Sequence, residues 1–341
     1  MIRSATAGVA ALASFSLSIM TLLLPALVQL VLVSPAVATE PPVTAVAISP
    51  DGKSIVVGSQ AGLRVLSWPD LQVRQDSSSK LSNIHDLAFS PDARTIAVAG
   101  GAPSEQGMVE FVSWPSLETK RIWTATDDLF TSVRWLDANS LAIGGHDHSV
   151  SIWSLGSETP ERTLLGHSRG VTSLVLISGE QLLVSGGLDN SLRVWDIAAE
   201  QVSPTSSADA LVRSLNIHTR PVLDLALRPS GEGLPMVASA SEDRTVRLWQ
   251  PTIGRMVRFA RLAATPLSLA WFPDGSLLAA ACSDGHVRII DPEMVQVTHD
   301  VPAVEGWAYA LAIHPTDQGI VVGGSDGVVK RFEIEVKPAV E

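Results

Sequence analysis

The sequence holds a single cysteine, Cys282, in 341 residues. One thiol cannot form an intrachain disulfide, and the cysteine spacings of zinc sites are missing too. Basic residues are few: 24 Lys and Arg stand against 35 Asp and Glu, a net charge of −11 at neutral pH. A nucleic-acid binder needs a basic footprint to displace counterions from phosphates, so this balance argues against that class of partner. Beyond residue 40 no apolar run reaches the about 18 residues of a membrane-spanning helix, which excludes a polytopic membrane protein. There is no Gly-x-y period and no sustained heptad, and Val and Leu are too frequent for a disordered chain.

Charge is missing altogether from Ser4 to Thr39. Arg3 gives a short positive end, Gly8 to Val33 is apolar, and Ala36-Val37-Ala38 reads as a small-residue cleavage site. Residues 1–38 are therefore expected to be a signal peptide or, uncleaved, a membrane anchor. On this reading the rest is exported, to the periplasm or the extracellular space, and touches a membrane only through that segment. What remains after residue 38 carries 23 basic against 35 acidic side chains, with no basic patch evident in the sequence.

From residue 43 the chain repeats. Each unit has an apolar alternation, a turn, an apolar strand ending in Gly or Ser, a tight turn and a Val- and Arg-rich strand. First strands are expected near Val43, Ile84, Phe130, Val171, Val222, Pro266 and Ala308, at spacings of 41, 46, 41, 51, 44 and 42 residues. Ser49-Pro50-Asp51-Gly52, Ser90-Pro91-Asp92 and Phe272-Pro273-Asp274-Gly275 are turn sequences, in which Pro presets φ and Asp-Gly reverses the chain. Asp284-Gly285 and Asp326-Gly327 are hairpin signals. The prediction is all-β: seven four-stranded antiparallel sheets. A four-stranded sheet cannot bury both faces alone, but seven packed radially close a ring, a seven-bladed β-propeller over residues 43–335. The tail, 336–341, is a candidate for the strand that closes the last blade, with Pro338 tolerable on an edge.

Two repeats carry a sharper pattern. His167, Ser185, Asp189 and Trp195 in one repeat match His218, Ser239, Asp243 and Trp249 in the next. In both, His precedes the first-strand Val171 or Val222 by four, Ser precedes Asp by four and Trp follows Asp by six. With Gly166-His167 and Trp195-Asp196 this pattern resembles the WD-repeat signature. The resemblance implies a buried Trp–Ser–His–Asp hydrogen-bond chain in each of the two blades, a structural tetrad. Ser, His and Asp also compose hydrolytic triads, but here the set recurs with Trp, and no Gly-x-Ser-x-Gly elbow accompanies it. Other repeats depart: Thr126 stands where the third repeat should have its His, and Ile290 and Phe332 replace Trp in the last two.

The resemblance also implies that partners dock on the face made by the loops before each first strand and by the second-to-third-strand hairpins. Those positions here are Asp128, Arg169, Arg220 and Trp307, and His146, Leu188, Glu242 and Ser325. The expected function is a non-catalytic, monomeric interaction scaffold for protein partners, with no catalytic residue, metal or cofactor assigned. His146-Asp147-His148 is read as a turn, since no third ligand is apparent. The alternative is a propeller enzyme or small-ligand sensor with its site in the central channel. Three or more His, Asp, Glu or Arg converging at one mouth would favour that alternative, and a mixed rim around Trp307 would favour protein binding.

Overall fold

The computed structural model describes residues 40–126, 128–198, 210–229 and 233–334. The expected leader or anchor and the tail at 336–341 lie outside the described residues. Among those described, no helix is long and apolar enough to cross a membrane.

Seven antiparallel sheets follow one another along the chain. Their first strands are Val43–Ile48, Ile84–Phe89, Phe130–Trp135, Val171–Ile177, Val222–Leu227, Pro266–Trp271 and Ala308–Ile313. Blades 1 to 6 have four strands in simple sequential order, and blade 7 has three among the described residues, ending at Val329–Phe332. Each first strand packs against the next, and Ala308–Ile313 packs against Val43–Ile48, which closes the ring. The fold class is thus the seven-bladed β-propeller read from the repeat.

The second strands show why the blades stack. Ile55, Val56 and Val57 are consecutive and all buried, as are Leu141, Ala142 and Ile143. Consecutive apolar residues in a strand point to opposite faces, so both faces of each blade must be covered. Neighbouring blades do this by sharing seven apolar clusters, one for each junction in the ring. The cluster between blades 2 and 3 is aromatic: Trp123 stacks on Trp153 at 5.0 Å and meets Phe111 edge-on at 4.5 Å.

Sequential antiparallel order puts alternate turns on opposite faces. On one face the second-to-third-strand hairpin binds the loop before the first strand through the same backbone hydrogen bond in blades 3 to 7. The pairs are His146 N–H to Leu129 O, Leu188 to Gly170, Glu242 to Pro221, Ser283 to Thr265 and Ser325 to Trp307, all 2.8–3.0 Å. This loop face is therefore pinned, not floppy. On the other face the Ser-Pro-Asp turns are built as their sequence suggests: Ser49 Oγ donates to Asp51 at 2.6 Å and Ser90 Oγ to Asp92 at 2.6 Å. These hydroxyls hold both carboxyls below the usual carboxylate range.

The junction of blades 7 and 1 has the smallest apolar cluster: Val43, Ile55, Val57, Leu66 and Val321. A side-chain staple supplements it. Trp68 stacks on His314 at 4.4 Å and donates from Nε1 to Asp317 at 2.7 Å, while the Arg331 guanidinium lies 4.7 Å over the same indole. His314 Nε2 in turn donates to the Gly52 carbonyl at 2.8 Å.

Candidate functional site

In blade 4 Trp195 Nε1 donates to Ser185 Oγ at 2.8 Å, Ser185 Oγ lies 2.8 Å from His167 Nε2, and His167 Nδ1 lies 3.0 Å from Asp189. In blade 5 the matching distances are 2.8 Å for Trp249 to Ser239, 2.7 Å for Ser239 to His218 and 2.8 Å for His218 to Asp243. The Ser, His and Trp members are buried. Because the indole already donates to each Ser, its hydroxyl proton goes to His Nε2, and Nδ1–H goes to the carboxylate. Burial keeps His218 below the ordinary histidine value. Burial works against the Asp243 carboxylate too, but hydrogen bonds from Thr245, His218 and the Thr219 N–H outweigh it and bring the carboxyl down to about 2. Asp189 is likewise held well below the usual range, by His167 and Ser191 against desolvation.

Each tetrad ties a hairpin to the loop before its first strand, so it holds the loop face in place. Blade 2 is also tied to the loop before its first strand, through Glu110, whereas in blades 3 and 6 the corresponding side chains bond within the blade. In blade 6, Arg288 reaches Asp284 at 2.6 Å and holds its carboxyl below the usual range. In blade 2, buried Glu110 takes hydrogen bonds from Ser79 Oγ at 2.5 Å and Lys80 N–H at 3.2 Å. In blade 3, Trp153 turns to Ser151 on its own strand at 2.8 Å.

The ring's inner strands surround a channel of about 400 Å³. Its wall holds His85, Asp86, Arg134 and Asp224, but both carboxylates and the guanidinium are engaged in stitching blades together. Asp86 accepts from Ser132 Oγ at 2.9 Å, Val133 N–H at 3.0 Å and Arg134 at 2.5 Å, joining blade 2 to blade 3. Asp224 accepts from Ser173 Oγ at 2.9 Å and Leu269 N–H at 2.8 Å, joining blades 4, 5 and 6; burial pushes its carboxyl up. Thr131 and Thr172 Oγ1 donate to the first-strand carbonyls of Val171 and Val222 in the next blade, at 2.6 and 2.8 Å. These charged groups line the channel wall with the geometry of a cuff. The His, Asp, Glu or Arg that converge at one mouth are Arg220, Glu242, Asp243, Arg244 and Arg261 on the loop face, a count that meets the criterion for a ligand site, and they share that mouth with Trp307. Among the described residues no three His, Cys, Asp or Glu side chains stand close enough to hold a metal ion.

At the mouth of this channel, on the loop face, lies a wider cleft of about 600 Å³. Three of the candidate residues come together there: Arg220, Glu242 and Trp307. Trp307 is 51% exposed and its ring centre is 5.8 Å from that of Tyr309 in the channel wall. Its loop is held from beneath: Trp307 N–H donates to Ser325 Oγ at 2.9 Å, and Ser325 Oγ donates to Glu305 O at 3.2 Å. Gly306 precedes it at φ +83°, where a Cβ would stand 2.4 Å from Ser325 Oγ. Ser325 thus positions Trp307.

The other candidates lie elsewhere on the loop face, around blades 3 and 4. The Asp128 carboxylate accepts the N–H groups of Leu129 and Ser104 at 2.8 and 3.1 Å; these outweigh desolvation and lower its pKa. The ring of His146 packs where a Cβ on Gly170 would go, and Leu188 is partly buried beside Gly170. Arg169 is exposed.

Two cleft residues were not legible in the sequence: Arg244, in the blade 5 hairpin, and Arg261, at the end of the outer strand Arg255–Arg261. With Arg220 they place three guanidiniums around one cleft. No basic patch was evident in the sequence; in the structure the three converge, with Glu242 and Asp243 in the same lining. Nothing in a linear reading brings these three together, although Arg244 follows the hairpin Asp directly and was within reach of the pattern.

The pattern of the WD domain, G-beta repeat matches residues 36–65, 158–196 and 209–250, and that of the anaphase-promoting complex subunit 4 WD40 domain matches 236–308. The chain therefore carries WD40 repeats. Among curated proteins it is similar to the ribosome biogenesis protein ytm1 of Neosartorya fischeri, 24% identical over 60% of this chain and 48% of that protein. It is also similar to Protein ROOT INITIATION DEFECTIVE 3 of Arabidopsis thaliana, 28% identical over 54% of this chain and 44% of that one. The YTM1 of Meyerozyma guilliermondii is 24% identical over 61% and 54% respectively. The chain spans about half the length of the curated relatives it matches. Ribosome biogenesis is work done inside cells, so these relatives overturn the expectation of a periplasmic or extracellular protein.

Proposed function

We propose that this propeller is a rigid platform for protein–protein interaction, docking its partners on the loop face at the channel mouth. The observation that carries the reading is the cleft itself. A half-exposed tryptophan is fixed there by Ser325 and Gly306, beside arginines that have no ion-pair partner among the described residues. Trp and Arg are the residue types that most often carry binding energy in interfaces. The pinned loops favour it as well, because a pre-ordered surface loses little conformational entropy on binding. The engaged carboxylates of the channel wall weigh against the alternative of an enzyme site there.

Of what the relatives are named for, ribosome biogenesis, this reading takes over only the part a propeller can perform, holding partners in an assembly. Fold alone does not name the partner. The test is affinity capture of the full chain from its own cells beside the Trp307→Ala variant. The variant is expected to keep its melting temperature and to lose the partners that the unaltered chain retains. Identical partner sets for the two proteins would refute the docking face.

A further inference from the structure

We propose that the cleft between blades 5, 6 and 7 takes an acidic segment of the partner protein. Carboxylates of that segment sit on Arg220, Arg244 and Arg261, and an apolar side chain of it rests on Trp307. The inference deepens the docking-face reading and depends on it.

Four observations converge. First, the guanidiniums of Arg64, Arg134, Arg193, Arg247, Arg258 and Arg288 each have a carboxylate within 4 Å. Arg220, Arg244 and Arg261 are exposed and form no ion pair among the described residues; other arginines, among them Arg74, Arg94, Arg169 and Arg255, share that state, but only these three line one cleft. Their positive charge is thus unspent on a chain whose net charge is −11.

Second, the acids in the cleft only partly offset them: the lining holds three arginines against the two carboxylates Glu242 and Asp243. Asp243 is occupied by His218 and Thr245 in the tetrad, which leaves Glu242 as the exposed carboxylate of the lining.

Third, Arg244 occupies a position that resists it. The residue after the hairpin Asp is His148 in blade 3, Asn190 in blade 4, Gly285 in blade 6 and Gly327 in blade 7, each with positive φ, so the left-handed conformation belongs to the hairpin and is not peculiar to Arg244. Glycine and asparagine suit that left-handed conformation, whereas Arg244 is held in it at φ +61°. A residue kept in an unfavourable backbone region points to a use for its side chain.

Fourth, Trp307 offers a large apolar surface within the same cleft.

The chemistry selects the occupant. A guanidinium presents a planar fork that matches a carboxylate in bidentate fashion. The three arginines come from three different segments: the loop before blade 5, its hairpin and the end of its outer strand. That gives several separate anion positions, which suits a run of carboxylates better than one phosphate. A long polyanion such as a nucleic acid would meet the negative field of the rest of the chain, whereas a short acidic segment would not.

The experiment uses the full chain and a fluorescein-labelled heptapeptide of glutamates around one central phenylalanine, followed by fluorescence anisotropy. The expected result is saturable binding, weakened by about tenfold or more in the combined Arg220→Ala, Arg244→Ala, Arg261→Ala variant, and weakened by added salt as screening predicts. Arg244→Gly separates recognition from folding: it relieves the backbone, so its melting temperature should hold or rise while the peptide binds more weakly. A peptide with glutamine in place of glutamate should not bind.

Absence of binding, equal binding by the arginine variants or equal binding of the glutamine peptide would overturn the proposal. Binding of a phosphoserine peptide about tenfold tighter than the glutamate peptide would overturn it in favour of phosphate recognition. If any of these occurs while capture of cellular partners still requires Trp307, the acidic-segment inference fails and the docking face stands; if capture is also indifferent to Trp307, both fail.

Discussion

Ser239→Ala removes one hydroxyl and nothing else. Ser239 is fully buried; it accepts from Trp249 Nε1 at 2.8 Å and lies 2.7 Å from His218 Nε2. Alanine fits the same space, so the packing term is small. What changes is that a buried indole N–H loses its acceptor and a buried imidazole nitrogen loses its donor. Each orphaned group costs about 1–3 kcal/mol. The two share one network and are not additive, so about 3 kcal/mol is expected for the pair. Unfolding entropies near 2 cal/mol/K per residue over about 300 residues turn this into a melting-temperature fall of about 5 °C, readable by scanning calorimetry. Blade 6 supplies an internal comparison. It has Ala280 at the equivalent place, together with Ile290 for the Trp and Arg288 on the Asp, so alanine is tolerated where the partners are also absent. Trp249→Phe should cost less than Ser239→Ala in hydrogen bonding, because Ser239 then still meets His218. A Ser239→Ala protein melting within about 1 °C of the unaltered chain would refute the claim that the tetrad holds the blade.

Acid should unfold the ring in two stages. His218 and Asp243 both have folded pKa values below their unfolded ones, so the unfolded chain binds more protons as pH falls. Their contribution is complete above about pH 6.5, erodes first through the histidine range and is then lost between about pH 4 and pH 2. Melting temperatures measured across this range should decline in that order, with the lower step shallower in Asp243→Asn; a flat profile from neutral to acid would count against the assignment. Gly306→Ala forces a Cβ to 2.4 Å from Ser325 Oγ at φ +83°. It should cost about 1 kcal/mol in denaturant unfolding and abolish partner capture by displacing Trp307, and full capture would show that the loop geometry is immaterial. Trp68→Ala removes the staple between blades 7 and 1 and should cost about 2–3 kcal/mol, with faster amide exchange in the first strands Val43–Ile48 and Ala308–Ile313; unchanged exchange there would assign closure to something else.

The architecture was readable because its signals are local. Ser49-Pro50-Asp51-Gly52 and Asp326-Gly327 are turns wherever they occur, and a strand such as Ile55-Val56-Val57 announces that both of its faces are buried. The His, Ser, Asp and Trp of blades 4 and 5 were readable because repetition at fixed offsets makes a pattern out of single residues. The devices that join distant parts of the chain were not. Trp68 and Asp317 are 249 residues apart, and neither says that the other exists. Asp86, Ser132 and Arg134 meet only because consecutive blades place their inner strands side by side. The arginine cleft was missed for the same reason: charge summed along a sequence is blind to convergence in space. The expectation of export failed differently. It rested on an uncharged apolar stretch, a compositional signal carrying no tertiary information, and it fell to the similarity of the repeats to ribosome biogenesis proteins.

The central claim is that partners meet the loop face at the channel mouth. A photo-crosslinking amino acid placed at position 307, and in a separate protein at position 70 in the third-to-fourth-strand turn of the opposite face, tests it in the protein's own cells. Both positions are exposed, so each probe can reach a bound protein. The account predicts crosslinks to the same partner from position 307 and none to it from position 70. Crosslinks from position 70 alone would place the partner on the other face and contradict the account.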